Sequence, residues 1–310
     1  MAGLSAAGAL KMMGVQALVF DKSPEGFEGP WVTTARMETL RSPKQLTGPA
    51  LGIPSLTFRA WYECQFGLSA WDELDKIPRL QWMDYLRWYR KVLKLEVLNL
   101  HEVKKVHPRT DQLVELHIQS PTGLQTVYAR RLIMATGRDG LGGAYLPEIA
   151  KTIPDHYWAH SSDAFDYSTL RNKRVGVVGA GASAMDSAAT ALEEGAAQVD
   201  LIVRRTDLPR INKGKGAGNA GMVQGFAHLS PEWKWRIRHY LGTQQVPSPR
   251  GSTLRVSQFS NAKFNLGCAL EKIEIENEKV VVKTSRGTFT LDFLIFSTGF
   301  KIDWWNRPEY

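Results

Sequence analysis

A glycine-rich turn near the middle of the chain has the spacing of a phosphate-binding motif. The apolar residues 175–178 are followed by the pattern G-x-G-x-x-A, and residues 185–194 then have the composition of a helix. In such a turn the first glycine permits the tight bend, the second lets the backbone approach a pyrophosphate, and the small third residue lets the helix pack on the strand. The N–H groups at the helix start then face the phosphates. The pattern predicts dinucleotide binding by Gly179, Gly181, Ala182, Ser183 and Ala184.

Two arginines follow the next predicted strand, residues 199–203. Arg204 and Arg205 stand where an NAD-specific site usually has an acid that holds the ribose 2′-hydroxyl. Two guanidinium groups suit a 2′-phosphate instead, by charge and by bidentate geometry. The sequence therefore predicts NADP(H). The alternative is a glycine-rich turn in an α/β protein that binds no nucleotide.

The N-terminal residues resemble the second half of another dinucleotide-binding unit. Residues 2–13 have helical spacing, Gly14 ends the helix, and residues 15–21 are predicted to form a strand that ends in Asp21. An acid at this position holds an adenosine ribose hydroxyl. Gly3 stands where the third glycine of the motif would be. We therefore expect the chain to be truncated within this first G-x-G-x-x-G, without its first strand and first two glycines.

The remaining segments predict an α/β fold with two Rossmann-like dinucleotide-binding domains and small β-meanders. Helices are predicted at 57–66 and 78–93, meander strands at 97–106, 113–119, 125–129, 269–276, 280–285 and 288–291, strands of the large sheets at 130–137 and 292–300, and a linker at 147–167. Tryptophans 61, 71, 82 and 88 are interpreted as packing anchors, with a place at the border of a substrate or flavin pocket as the alternative.

Composition limits the remaining function classes. The chain has 310 residues, a formal charge of +8 and two isolated cysteines, Cys64 and Cys268, which is typical of a reducing, cytoplasmic location. No apolar stretch approaches the ~20 residues of a membrane span. No compact basic run or known module supports nucleic-acid binding. His156 and His160 are four residues apart without a third ligand, so no metal site is expected. The hydrolase motif G-x-S-x-G would need a glycine at position 185, where this chain has Met185, so a hydrolase is not expected.

Taken together, these motifs resemble the flavin-containing monooxygenases and Baeyer–Villiger monooxygenases, over nearly the whole chain. The A-T-G segments of that group are matched by residues 134–137 and 296–300, the latter with Ser297 in place of Ala. Its tryptophan-bearing loop is matched loosely by residues 29–31. His160 stands where the histidine of F-x-G-x-x-x-H would be, but Pro154 and His156 replace the Phe and Gly of that motif.

The resemblance implies a flavin reaction. NADPH would reduce FAD, O₂ would be activated as a C4a-(hydro)peroxyflavin, and oxygen would pass to a small organic substrate. Since cofactors carry this chemistry, no catalytic residue is named. Cofactor contacts are expected from Gly3, Asp21, Lys22, Trp31, Ala135, Thr136, Gly137, His160, Thr298 and Gly299, in addition to the residues of the central motif. For His160, positioning of NADP and a purely structural role both remain open.

The implied domains are an incomplete FAD-binding domain at 1–160 and 292–310 and an NADP-binding domain at 161–291. Two alternatives remain. The first alternative is a non-catalytic NADP-binding fragment or pseudo-enzyme without stable FAD. The second is an enzyme like the flavin and thioredoxin reductases, but the redox C-x-x-C motif that would support it is absent from this sequence. A homo-oligomer is left open.

Overall fold

The computed structural model describes residues 1–307 except 138, 139, 141, 213, 216–218 and 245. The chain divides into two compact units. Unit 1 comprises residues 1–145 and 299–310, and unit 2 comprises residues 146–298. The predicted boundaries at 160/161 and 291/292 concern cofactor-binding domains and stay a prediction.

The regular elements occur mostly in runs of helices or of strands, and they alternate around β8, α5 and β9. The helices are α1 (Ala2–Met12), α2 (Phe58–Phe66), α3 (Leu68–Glu73), α4 (Arg79–Val92), α5 (Ala182–Glu193), α6 (Ala220–Gly225), α7 (Pro231–Thr243) and α8 (Arg250–Ser257). The strands are β1 (Phe20–Asp21), β2 (Leu98–Asn99), β3 (Glu102–Pro108), β4 (Val114–Ser120), β5 (Gly123–Ala129), β6 (Gly142–Ala144), β7 (Trp158–His160), β8 (Arg174–Val178), β9 (Gln198–Val203), β10 (Ala262–Leu266), β11 (Leu270–Glu276), β12 (Lys279–Thr284), β13 (Gly287–Leu291), β14 (Phe293–Phe296) and β15 (Phe300–Ile302).

Unit 1 is built around aromatic side chains from α2, α3 and α4. Phe58, Trp82 and Tyr85 are at most 1% exposed, and Trp61 and Trp71 are also buried in this cluster. Trp82, Tyr85 and Leu86 of α4 face this core because they recur at helical spacing. The interpretation of these tryptophans as packing anchors fits their burial.

The predicted strands at 15–21 and 130–137 are mostly wrong. Only Phe20 and Asp21 form a strand, β1, which pairs in parallel with β2, and residues 131–136 form no strand. Leu18 and Ile133 are 63% and 56% exposed. An apolar segment becomes a strand only where a neighbour supplies ladder hydrogen bonds. The Val19 carbonyl accepts the Leu98 amide at 2.8 Å, but residues 15–18 and 131–136 have no such bond in the described part of the chain. The meander β3-β4-β5 is as predicted, except that a turn separates β2 from β3.

Unit 2 contains a five-stranded parallel sheet in the order β10-β9-β8-β14-β7, with a separate meander β11-β12-β13. Helix α5 packs on the sheet through residues such as Met185 and Leu192, which are 1% and 3% exposed. The linker predicted at 147–167 was wrong in one respect, since it contains β7. That strand pairs with β14 at the edge of the described sheet. It has only three residues, which is too short for a hydrophobic periodicity to predict it.

Candidate functional site

The candidate site of unit 2 lies at the carboxyl edge of the parallel sheet. Val178, the last residue of β8, is in register with Ile202 of β9, and the Gly179 amide donates to the Ile202 carbonyl at 3.1 Å. The glycine turn after β8 and the arginines after β9 therefore leave the sheet at the same edge. Ligands of open α/β sheets bind at this edge.

The turn requires glycine at position 179. Gly179 has a φ of +139°, and a Cβ there would lie 2.6 Å from the Ser297 carbonyl oxygen. Both the backbone conformation and this contact forbid a side chain. Around Gly181 a Cβ would meet nothing within 4 Å, so the backbone of the turn faces open space.

Helix α5 begins as an open anion-binding end. Gly181 is its N-cap, no side chain caps it, and its first turn contains no acid. The first helical N–H groups, at Ala182 and Ser183, have no acceptor within the helix. Ala184 is fully buried, which lets the helix start against the sheet. The arrangement fits a pyrophosphate, whose negative charge the helix dipole favours.

Arg204 and Arg205 are exposed and have no ion-pair partner among the described residues. The nearest acid along β9, Asp200, accepts hydrogen bonds from Gln198 at 2.7 Å and from Asn265 at 3.2 Å. Asp200 is buried in the sheet and bonded to these amides, so both exposed guanidinium groups remain open to a ligand. Two guanidinium groups fit a phosphate monoester.

Ser297 is a site residue that the sequence analysis did not include. It follows β14, its side chain is 9% exposed, and its Oγ is buried without a hydrogen-bond partner. Its Cβ would lie 3.3 Å from a Cβ at Gly179, so it stands directly beside the glycine turn. The signal was present in the sequence, because Ser297 replaces the usual Ala. A buried hydroxyl without a partner fits a ligand that accepts its hydrogen bond.

His160 ends β7, two strands from the glycine turn, and is 1% exposed. Its Nδ1 is 2.7 Å from the Ser162 Oγ, and its amide donates to the Asp163 carboxylate at 2.7 Å. These bonds fit a structural role, and the positioning of NADP stays a prediction beside it. Thr298 follows Ser297 after β14, so it leaves the sheet at the same edge.

In unit 1, three of the predicted residues come together at the start of α1. A Cβ at Gly3 would lie 3.6 Å from the Ala135 Cβ. Asp21 ends β1, and its Oδ1 accepts the Ser23 amide at 2.8 Å. Partial burial lowers the pKa of the Met1 amino group, and the nearby charge of Asp21 opposes that shift. The α1 start also has no side-chain cap.

Other predicted residues of unit 1 have separate surroundings. Trp31 packs edge-on against Trp82, with ring centroids 6.3 Å apart, so it belongs to the aromatic core. Lys22, Thr136 and Gly137 are exposed. The Gly299 carbonyl accepts the Tyr145 amide at 2.9 Å.

Arginines of α4 hold the loop that follows Asp21, which the sequence analysis did not foresee. Arg87 donates to the Gly26 carbonyl at 2.6 Å. Arg90 donates to Glu28 at 2.8 Å. These bonds fix an otherwise irregular loop next to the end of β1.

Two general features bear on the chemistry. Within the described ranges, no group of three or more His, Cys, Asp or Glu residues is arranged to hold a metal ion. No helix among those residues has the length and apolar character to cross a bilayer.

Known proteins are similar to this chain in sequence or in fold. Residues 70–219 match the L-lysine 6-monooxygenase/L-ornithine 5-monooxygenase family. The chain is 42% identical to the FAD-dependent urate hydroxylase of Xanthomonas campestris pv. campestris over 99% of its length, and it spans 65% of that relative. The ornithine hydroxylase of Pseudomonas aeruginosa superposes with a TM-score of 0.77 at 16% identity, covering 99% of this chain and 81% of that one. The ornithine N-hydroxylase of Kutzneria sp. 744, in a structure with reduced FAD, NADP⁺ and L-ornithine, gives 0.74 at 18% identity, covering 96% and 78%.

Proposed function

We propose that the chain is a flavin-dependent monooxygenase with two dinucleotide-binding domains, which uses FAD and NADPH to oxygenate a small organic substrate. The observation that carries the NADPH part is the shared sheet edge of unit 2. There the Gly179 turn, the uncapped start of α5 and the unpaired Arg204 and Arg205 converge. The alternative, a non-catalytic NADP-binding fragment, shares this edge and differs in its FAD binding.

The residues divide between two cofactors. The NADP pyrophosphate is approached by the backbone of Gly179, Gly181, Ala182 and Ser183, and Ala184 lets the helix pack on the sheet. The Ser297 hydroxyl donates to the phosphate. The 2′-phosphate is bound by Arg204 and Arg205. Asp21 holds the adenosine ribose of FAD beside Gly3 and Ala135. Further cofactor contacts are Lys22, Trp31, Thr136, Gly137, Thr298 and Gly299. His160 is a positioning residue for NADP. The FAD-binding domain is 1–160 with 292–310, and the NADP-binding domain is 161–291.

The cofactors, when bound, supply two electrons to O₂, so that one oxygen atom enters the substrate and the other leaves as water. The chain itself binds and orients. The α5 start and the arginines neutralise the phosphates of NADPH, and Asp21 fixes the adenosine end of FAD. No described residue is assigned to move a proton.

The substrate class follows from the relatives. We propose urate or a related oxidisable purine as the first candidate, because the relative with 42% identity is named an FAD-dependent urate hydroxylase. The side-chain amine of L-ornithine or L-lysine is the second candidate, which the match of residues 70–219 favours. The two classes are distinguished by which compound increases NADPH oxidation.

The proposed location is the cytoplasm. Cys64 and Cys268 are both free thiols, which fits a reducing compartment. A homo-oligomer is an open part of the proposal, with O₂ and the small substrate as the other partners.

The test is a visible absorption spectrum of the purified chain after FAD addition and desalting, and again after anaerobic NADPH. A retained flavin band that bleaches with NADPH supports the proposal. Urate, L-ornithine and L-lysine are then compared under air by NADPH oxidation, with H₂O₂ measured to separate oxygenation from uncoupled oxidation. A colourless protein that still binds NADPH contradicts catalysis by this chain and supports the non-catalytic alternative.

A further inference from the structure

The segment between β9 and α8 concentrates the positive charge of the chain. Residues 204–250 contain nine Lys and Arg and two acidic residues, whereas the whole chain contains 39 and 31. Almost all of the net charge of +8 therefore resides in this segment. A local field of one sign attracts polyanionic surfaces.

The same segment concentrates exposed apolar side chains. Among the described residues of unit 2, seven large apolar side chains are exposed, and five of them belong to residues 204–250. They are Ile211 (73%), Trp233 (54%), Trp235 (69%), Tyr240 (53%) and Val246 (55%). Such side chains beside a basic field are typical of an interaction surface.

Helix α7 presents most of these groups. Ser230 caps it by accepting the Trp233 amide at 3.4 Å, and Pro231 occupies its first turn, so local sequence defines the helix start. No residue of α7 is buried. Its partly buried residues are Lys234, Ile237 and Leu241, which lie on one face.

The exposed side of α7, away from its partly buried face, combines aromatic rings with guanidinium groups. Trp233, Arg236 and Tyr240 share one outward ridge by their spacing, and the Arg236 guanidinium lies 5.4 Å from the Trp233 ring centre. Arg236 also pairs with Glu232 at 2.8 Å, and this exposed pair is weak enough to exchange for a lipid phosphate. Trp235 and Arg238 share the next ridge. Tryptophan and tyrosine prefer the headgroup level of a bilayer, and arginine pairs with lipid phosphates.

We propose that α7 docks the protein on an anionic membrane surface, with Val246 just beyond the helix end and Ile211 as further exposed apolar residues of the same segment. The aromatic rings enter the headgroup region, and the arginines neutralise lipid phosphates. The aliphatic Ile211 and Val246 favour a lipid surface over a nucleic acid, because aliphatic side chains gain from hydrocarbon and do not stack on bases. This docking is peripheral and does not depend on FAD or NADPH chemistry.

The experiment is co-sedimentation of the protein with phosphatidylcholine vesicles, with and without phosphatidylglycerol. We expect binding only to the anionic vesicles, and its loss at about 1 M salt, where the Debye length is about 3 Å. Arg236→Gln with Arg238→Gln should weaken binding about 25-fold, since each basic residue near an anionic surface contributes about fivefold. Trp233→Ala with Trp235→Ala should also weaken it.

The matched control is Arg171→Gln with Lys263→Gln, two exposed basic residues of unit 2 outside the segment. This control should bind like the unaltered protein, and far-UV circular dichroism checks that each variant is folded. Equal binding by the Arg236/Arg238 variant and the control would overturn the proposal. So would an unaltered protein that stays in the supernatant, or one that binds a short single-stranded oligonucleotide but no vesicle.

Discussion

The helix-strand segment of unit 2 and its counterpart in unit 1 have similar sequences but fold to different extents. In unit 2, α5 leads to β9, which has β8 on one side and β10 on the other. In unit 1, α1 leads to residues 15–21, of which only two form a strand. Leu201 in the middle of β9 is fully buried, whereas Leu18 is 63% exposed. An alternation of apolar and polar residues with β-branched side chains therefore makes a strand possible, but the strand forms only where neighbouring strands supply ladder hydrogen bonds.

The largest expected effect is on the free energy of unfolding. Leu201→Ala should cost about 2–5 kcal/mol because it leaves a cavity between sheet and helix. Leu18→Ala should change stability by less than about 0.5 kcal/mol, since the side chain is exposed. Urea unfolding followed by circular dichroism measures both. A cost for Leu18→Ala close to that of Leu201→Ala would show that residues 15–19 are packed in solution.

Next in size is a pair of glycine substitutions. Gly179→Ala should destabilise unit 2 by about 1–3 kcal/mol and weaken NADPH binding, because of its positive φ and the Ser297 carbonyl 2.6 Å away. Gly3→Ala should be neutral or stabilise by up to about 1 kcal/mol, since Gly3 lies in α1 and the added Cβ makes an ordinary contact. Thermal unfolding and NADPH titration compare the two variants, and similar losses would refute the expected difference between the two glycines.

The third test concerns cofactor choice. Arg204→Ala with Arg205→Ala should weaken NADPH binding about 10- to 100-fold, which is the loss of charge-assisted hydrogen bonds to one phosphate. NADH binding should change little. Lys22→Ala, at the corresponding strand end of unit 1, should leave both unchanged. Fluorescence titrations with the two nucleotides decide this, and equal losses of NADPH and NADH would reject the 2′-phosphate assignment.

A smaller effect is expected at the two A-T-G-like segments. Ser297→Ala should raise the stability of the free protein by up to about 1–2 kcal/mol, because it removes a buried hydroxyl without a partner. It should weaken NADPH binding about 2- to 10-fold. Ala135→Ser should affect neither, because Ala135 is exposed. Parallel thermal unfolding and NADPH titration are needed, and a loss of stability in Ser297→Ala would show that the hydroxyl already has a partner.

The smallest effect is a pH dependence of the meanders. In unit 2, hydrogen bonds from Lys272 and Lys283 lower the pKa of Glu274 to about 2. This carboxylate therefore stabilises the fold fully above its unfolded pKa of 4.5, and the contribution is lost as the pH falls toward 2. Glu274→Gln should flatten the decline of stability across that window.

The unit 1 meander offers the matched case. Hydrogen bonds from His117 and Arg109 lower the pKa of Glu115, so Glu115→Gln should also flatten an acid decline. Unfolding midpoints in urea, measured between about pH 2 and pH 5, compare both variants with the unaltered protein. An unchanged pH profile in Glu274→Gln would show that the two lysines do not hold the carboxylate in solution.

The sequence by itself determined the features that depend on local pattern. The G-x-G-x-x-A spacing defined the turn and α5, and the apolar runs defined β8 and β9. Each follows from short-range sterics or periodicity, which neighbouring residues specify. The same information predicts NADP(H) rather than NAD(H), because Arg204 and Arg205 immediately follow a strand.

Only the tertiary structure decided which apolar segments have ladder partners. It left residues 15–19 and 131–136 outside any sheet and added the three-residue β7 to the sheet of unit 2. It also placed Ser297 beside Gly179, more than a hundred residues away along the chain, and set Arg87 and Arg90 on the loop after Asp21. The physical reason is that strand pairing and hydrogen bonding between distant residues depend on which segments meet in space, and local sequence does not specify that.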